Sequence, residues 1–172
     1  MDRKSSFPPV VAPDTRVLIL GSLPGEASLA ARRYYAHPSN QFWRLAGAVL
    51  DGDLASLDYQ ARLVALQARG IGLWDVVASA QRQGSLDGAL REVAGNPLAA
   101  LVASLPELQA IAFNGGTAAR IGRRLLGPVA PMQLDLPSSS AAYTLPFAAK
   151  RERWITLREF LRRPPDFAKL CR

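Results

Sequence analysis

Cysteine occurs once in the 172 residues, at Cys171, and histidine once, at His37. One cysteine excludes an internal disulfide, a cysteine-rich zinc site and an iron–sulfur cluster. One histidine excludes a multi-histidine metal centre. No uninterrupted apolar run approaches the ~18 residues that a membrane helix needs. Met1 to Pro13 is polar and proline-rich and lacks the apolar core of a secretory signal. These absences predict a reduced, intracellular, cytoplasmic chain with no membrane partner. Acidic residues are the minority charge, 14 Asp+Glu against 21 Lys+Arg, for a formal net charge of +7. So basic a surface either meets a polyanion, nucleic acid first among them, or is simply solvated. Hydrophobic residues at 49% and charged residues at 20% are a globular composition.

What is present alternates. Arg16 to Leu20, ended by Gly21, reads as a buried strand. Asn40 stands where it caps a helix from Phe42 to Leu50, and Ser56 reads as the cap of a second helix ended by Gly70. Ile71 to Val77 reads as a second strand, Ser85 to Val93 as a short helix, and Asn96-Pro97 as the start of a helix to Leu105. Leu108 to Phe113 and Met132 to Leu136 read as two further strands, separated by a basic helix from Thr117 to Leu126. A last helix covers Phe147 to Leu161, stopped by Pro164-Pro165. Such alternation implies an α/β fold with a parallel sheet covered on both faces. No repeat or linker divides the chain, so residues 1–172 are read as one domain with loose ends at 1–13 and 162–172.

In an open parallel sheet, ligands bind at the carboxyl ends of the strands. Four unusual segments fall there: Gly21-Ser22-Leu23-Pro24-Gly25, Trp74-Asp75, Asn114-Gly115-Gly116 and Pro137-Ser138-Ser139-Ser140. The first is neither a dinucleotide fingerprint nor a phosphate-binding P-loop, since it lacks G-x-G-x-x-G and a Gly-Lys-Ser/Thr. The stretch Tyr34-Tyr-Ala-His-Pro-Ser-Asn-Gln-Phe-Trp43 packs four aromatics, the single histidine and an Asn into ten residues. Aromatic faces with an amide suit a nucleobase, which needs stacking and edge-on hydrogen bonds. Phe42 and Trp43 read as core of the following helix; Tyr35 and Asn40 do not.

The ordered motifs G-S-L-P-G, Y-Y-A-H-P-S-N-Q-F-W, G-I-G-L-W-D-V-V, F-N-G-G and L-P-S-S-S-A resemble the uracil-DNA glycosylase superfamily. The resemblance runs from about Phe7 to Leu161 and is greatest to the hypoxanthine-DNA glycosylase branch, with the mismatch-specific uracil/thymine enzymes next. It implies a three-layer α/β/α sandwich with a short, mainly parallel four-stranded sheet. It also implies hydrolysis of the N-glycosidic bond of a flipped, deaminated base by a monofunctional glycosylase. The implied partner is single- or double-stranded DNA carrying that base. The resemblance implies no metal and no organic cofactor, and a monomer at work on the nucleoid is the expected form.

The site residues follow from the same resemblance. In the mismatch-specific relatives the first motif reads G-I-N-P-G and its Asn positions water; Leu23 stands there in this chain, can neither orient nor activate water, and is expected to contact the base. The catalytic amide is then Asn40, in the segment shared with the hypoxanthine branch. Tyr35 matches the ring that stacks on the base. Asp75 falls where relatives carry a polar residue; it is either protonated, turned to backbone N–H groups, or a water ligand. Asn114 offers a donor and an acceptor to a lactam edge, or is a turn residue. Gly21, Ser22, Pro24 and Gly25 would shape the turn against DNA, while Ser138, Ser139 and Ser140 match a loop that pinches the phosphate backbone. Ala142 stands at the position of a duplex wedge and is too small for it, which passes the role to Tyr143 or Leu145. Lys150, with Arg32, Arg33, Arg120, Arg123, Arg124, Arg151 and Arg153, is a candidate phosphate contact, and His37 reads as structural.

Other readings stay open. Within the family the base is uracil, mismatched thymine or xanthine. From other classes the chain is a DNA-binding module without catalysis, or a nucleoside hydrolase. The last requires a metal-binding D-x-D-x-x-x-D-D run, and a complete one does not occur.

Overall fold

Val17, Leu18, Ile19 and Leu20 are all buried, so both faces of their strand are covered. That is the environment of a central parallel strand. The computed structural model describes residues 2–164. In chain order the elements are β1 (Arg3–Ser5), β2 (Val17–Gly21), α1 (Glu26–Ala31), α2 (Phe42–Leu50), α3 (Tyr59–Ala68), β3 (Ile71–Asp75), β4 (Val77–Gln81), β5 (Arg91–Gly95), α4 (Leu98–Ala103), β6 (Ala110–Asn114), α5 (Gly116–Leu126), β7 (Met132–Leu136) and α6 (Phe147–Trp154). Short 3₁₀ turns cover Asp87–Ala89 and Ile155–Phe160.

The main sheet has the order β3-β2-β6-β7. All three of its pairings are parallel. Alternate residues of β2 point to opposite layers. Val17 and Ile19 join a cluster with Phe42, Leu45, Leu66 and Trp154 from α2, α3 and α6. Leu18 and Leu20 join one with Leu98, Ala118 and Leu126 from α4 and α5. The result is the expected three-layer α/β/α sandwich. The chain runs from β2 outward to β3, then returns across β2 to β6. This reversal opens a crevice at the carboxyl ends of the strands.

Several elements differ from the sequence reading. Ile71 to Val77 is not one strand: β3 ends at Asp75, and β4 leaves for a second sheet, antiparallel, of order β1-β4-β5. The apolar run continues through the break because Val76 and Val77 are both fully buried. The helix expected from Ser85 to Val93 is a 3₁₀ turn followed by β5. α3 is capped by Asp58, whose Oδ1 accepts from the Ala61 N–H at 2.9 Å, and not by Ser56. α1 and β1 were not expected. The last helix becomes 3₁₀ after Trp154.

The N-terminal segment is held, contrary to the loose end expected at 1–13. β1 pairs antiparallel with β4, and the Trp74 indole donates to the Phe7 carbonyl at 2.9 Å. Arg162 pairs with Asp14, and its carbonyl accepts from Arg69 Nε at 2.6 Å, so the chain is also tied down there. Cys171, Pro165 and the rest of the expected loose tail lie outside the described residues. Among those residues no helix is long and apolar enough to cross a membrane.

Candidate active site

The floor of the crevice is built from strand ends. Parallel register sets Gly21 beside Asp75, and β6 brings Asn114 to the same edge. Above them opens a cavity of about 480 Å³, lined also by Tyr35, Asn40, Ser22 and the Ser138–Ser140 loop. The volume lies in the usual range for a small-molecule site. The four segments singled out at the strand ends thus do share one rim.

Gly21 is there because the floor has no room for a side chain. A Cβ would lie 2.7 Å from Asp75 Oδ1 and 2.9 Å from the Tyr35 hydroxyl oxygen. Asp75 is only 3% exposed, and among the described residues its Oδ2 has no hydrogen-bond partner. Burial, then the neighbouring Asp87, push its pKa up to about 7, while Arg82 opposes the shift. Desolvation favours the neutral acid, so near neutrality much of Asp75 carries a proton. Burial also raises the Tyr35 hydroxyl above the ordinary tyrosine range.

Asn40 Oδ1 accepts from the Phe42 N–H at 2.9 Å, capping the start of α2. The turn before it is self-knit, since Asn40 N–H donates to the His37 carbonyl at 3.0 Å. His37 is exposed at the cavity edge and accepts from the Ser39 N–H through Nδ1 at 3.1 Å, a local turn contact. Among the described residues no partner engages the Asn40 side-chain NH₂. The cap therefore fixes the amide while its donors stay available to a ligand.

Asn114 is more committed. Its Nδ2 donates to Ser139 Oγ at 2.9 Å and to the Tyr35 hydroxyl at 3.3 Å. Its Oδ1 accepts from the Ser139 N–H at 2.8 Å. Both amide protons are spent, leaving one oxygen lone pair for a ligand. Asn114 locks the serine loop to the floor. Ser139 is correspondingly 1% exposed, so it does not reach DNA as expected. Ser138 and Ser140 are half-buried and do line the cavity.

Two further expectations change. Lys150 is 1% exposed. Its Nζ donates to the Ser140 carbonyl at 3.1 Å and lies 5.4 Å from the Tyr143 ring centroid. It braces the serine loop from within and offers no charge to phosphate. Leu23 borders the cavity, but its side chain is 6% exposed and belongs to the α4–α5 side of the core. Pro24 is buried too, while Gly25 is half-buried at the rim. Ala142 and Tyr143 are exposed on the lip. Arg32 and Arg33 are exposed beyond α1, whereas Arg123 is paired with Asp135 at 2.6 Å.

The second sheet supplies a wall that the sequence reading missed. Arg82, 1% exposed, donates to the Leu23 carbonyl at 3.4 Å, to the Pro24 carbonyl and to the Gly84 carbonyl at 2.9 Å. It clamps the first turn in place. Ser85 Oγ accepts from the Glu26 N–H at 2.9 Å, tying the wall to α1. Asp87 Oδ1 accepts from Ser22 Oγ at 2.6 Å. Asp87 sits above the ordinary carboxylate range because of burial, with the Ser22 bond and then Arg82 opposing. Gly84 and Gly88 were local signals of turns there, and Gly84 does adopt a positive φ; Ser-Leu-Asp reads equally well as a helix start.

Among the described residues no three His, Cys, Asp or Glu side chains gather as a metal site. Asp53 and Asp58, the acids before α3, are spent on the Ser56 and Ala61 N–H groups.

Residues 8–159 match the family model described as the uracil DNA glycosylase superfamily. A protein of Methanosarcina barkeri named hypoxanthine DNA glycosylase is 44% identical over 113 residues, 66% of this chain and 72% of its own length. A second of that name, from Methanosarcina acetivorans, is 38% identical over 139 residues, 81% of this chain and 87% of its own. A solution NMR structure from Methanosarcina acetivorans, described as a candidate uracil DNA glycosylase, superposes with a TM-score of 0.83 at 34% identity. That superposition covers 92% of this chain and 99% of the other.

Proposed function

This chain belongs to the uracil DNA glycosylase superfamily and is a DNA repair glycosylase for deaminated bases; we propose that hypoxanthine is the base it prefers. The relatives carrying that name support the choice. The observation that carries the mechanism is one cavity of about 480 Å³ in which Asn40, Tyr35 and a buried, unpartnered carboxyl at Asp75 meet.

The base leaves as an anion, so the site must stabilise negative charge that develops late. A neutral Asp75 does this where an ionised one would oppose it. Its O–H donates to the lactam edge of the flipped base, the use of a carboxylic acid kept protonated in an apolar site. Tyr35 stacks on the base face, worth about 1–3 kcal/mol. The free Asn40 donors, fixed at a helix N-terminus, polarise the scissile bond or hold water beside it. Ser138, Ser140 and Gly25 face the phosphates around the cavity mouth, and exposed Tyr143 fills the gap left by the flipped base. The protein acts as a monomer on duplex or single-stranded DNA.

Gel-resolved cleavage of duplexes carrying inosine, uracil, a G·T mismatch or xanthine tests this reading. Fastest strand scission at inosine after alkali supports it. Faster scission at uracil or thymine overturns the base assignment.

A further inference from the structure

Resting on that reading, we propose that Asp87 is the carboxylate that holds and deprotonates the attacking water, with Ser22 as its positioning residue. Cleavage of an N-glycosidic bond makes the sugar oxocarbenium-like and the base anionic. The site therefore needs a negative charge on the sugar side, kept apart from the base.

Among the described residues three carboxyl side chains line the cavity: Glu26, Asp75 and Asp87. Glu26 is neutralised by Lys4. Asp75 lies on the floor, sealed and without a partner for Oδ2. Asp87 is left. It is half-buried on the wall, and among the described residues no cation lies within ion-pair distance of it. Its rotamer is fixed by the 2.6 Å bond from Ser22, which projects from the floor turn into the cavity. The next residue of that turn, Leu23, turns its side chain into the core. The turn thus gives the cavity a hydroxyl and no acid of its own. The acid reaches it from the other sheet, through that hydroxyl.

The reaction balances as follows. The water oxygen bonds to C1′ as the bond from C1′ to the base breaks, and the electron pair leaves with the base. The water proton passes to Asp87 and then to solvent, and the base anion takes a proton from Asp75, which recovers one from solvent. Asp75 lies on the sealed floor and Asp87 on the half-buried wall, so the acid and the base face different parts of the substrate.

The charged groups packed around Asp87 are Asp75 of β3 and Arg82 at the end of β4, with Lys4 and Glu26 beyond them on β1 and α1. Excision should rise with pH as Asp87 ionises and fall as Asp75 does. The two limbs belong to the coupled pair.

The test is single-turnover release of hypoxanthine from a duplex by the whole chain, from about pH 5 to about pH 9, where such limbs appear. Asp87→Asn should slow release ~10²-fold or more and abolish the acid limb. Its affinity for a duplex with an abasic site should hold or tighten. Ser22→Ala should keep the acid limb but move it to higher pH, because the bond that lowers the Asp87 pKa is gone; Ser22→Thr should restore it. A purely structural role would move neither limb. Parent-like release by Asp87→Asn overturns the proposal, and so does an unmoved acid limb in Ser22→Ala, which decides the matter if Asp87→Asn fails to fold. A parent protein that releases no deaminated base overturns the functional reading and this one together. A parent that releases hypoxanthine beside an equally active Asp87→Asn overturns only this one.

Discussion

The ring of Tyr35 lies flat on that of Phe42, with centroids 3.8 Å apart and planes inclined by 8°. One face of Tyr35 is therefore already occupied, and under the proposed function a flipped base would take the other. Phe42 is fully buried and in turn meets Trp43 and Trp154 edge-on. Phe42→Leu should remove the flat backing while keeping most of the apolar volume, at a cost of about 1–2 kcal/mol in stability. Excision at saturating enzyme should fall ~10-fold as the ring loses its fixed plane. Chemical denaturation and single-turnover rates, measured side by side, separate the two effects; an unchanged rate would mean that Tyr35 needs no backing.

Asn40→Ala should reduce excision ~10²-fold or more, the scale of losing one preorganised polar group. It also removes the 2.9 Å cap on Phe42 N–H, which costs about 1 kcal/mol. Asn40→Asp keeps the acceptor and loses the donors. If the donors carry the chemistry, Asn40→Asp should melt like the parent and excise like Asn40→Ala. A fast Asn40→Asp protein would reduce the residue to a cap.

Gly21→Ala should shrink the floor. Its methyl would sit 2.7 Å from Asp75 Oδ1, well inside contact distance, so Asp75 and Tyr35 must shift. A purine fills more of the cavity than a pyrimidine, so hypoxanthine release should suffer more than any uracil release. Equal losses on the two substrates would show that the floor does not gauge base size.

Stability should fall as pH rises from about 4 to about 7. Unfolded, Asp75 loses its proton near the ordinary aspartate pKa; folded, near 7. Between those values the folded state binds more protons than the unfolded one, so raising the pH favours unfolding. Asp75→Asn should flatten the dependence and melt higher than the parent at the alkaline end. Parallel thermal melts across the pH range decide it, and a parent curve that rises through this window would contradict the assignment.

Affinity for undamaged duplex should fall steeply with salt, since phosphate contacts release counterions. Arg33→Ala, an exposed position, should lower the slope of log K against log salt by about one contact. Lys150→Met should leave the slope unchanged, because its charge is sealed behind the serine loop. A reduced slope in Lys150→Met would place that cation on DNA after all.

The floor of the site was readable in the sequence because it is made of strand ends. A β-branched run broken by glycine, as at Val17 to Gly21, marks both a buried strand and the point where it meets the ligand side. Parallel order then brings Gly21, Asp75 and Asn114 together without any long-range information. The wall was not readable. Val76 and Val77 continue the hydrophobic run of β3, so nothing local marks the passage into a second sheet. Lys150 was misjudged, and Arg82 passed over, for a related reason: composition counts a cation as surface, whereas these two are held inside by backbone carbonyls. Which carbonyls face inward is a property of loops and has no period. Asn114 was half legible, as an amide at a strand end, but its commitment to Ser139 depends on a partner 25 residues away.

The orphan oxygen of Asp75 bears on how this protein would change under selection. A buried carboxyl with an unmet oxygen is a standing cost to the folded state, and many replacements would relieve it. A laboratory screen that rewards only heat tolerance in alkaline medium would therefore discard Asp75 early. Such a screen would return a sturdier protein with a blunted site, as stabilising changes at strained functional positions do. Retaining the residue requires that the screen also score excision.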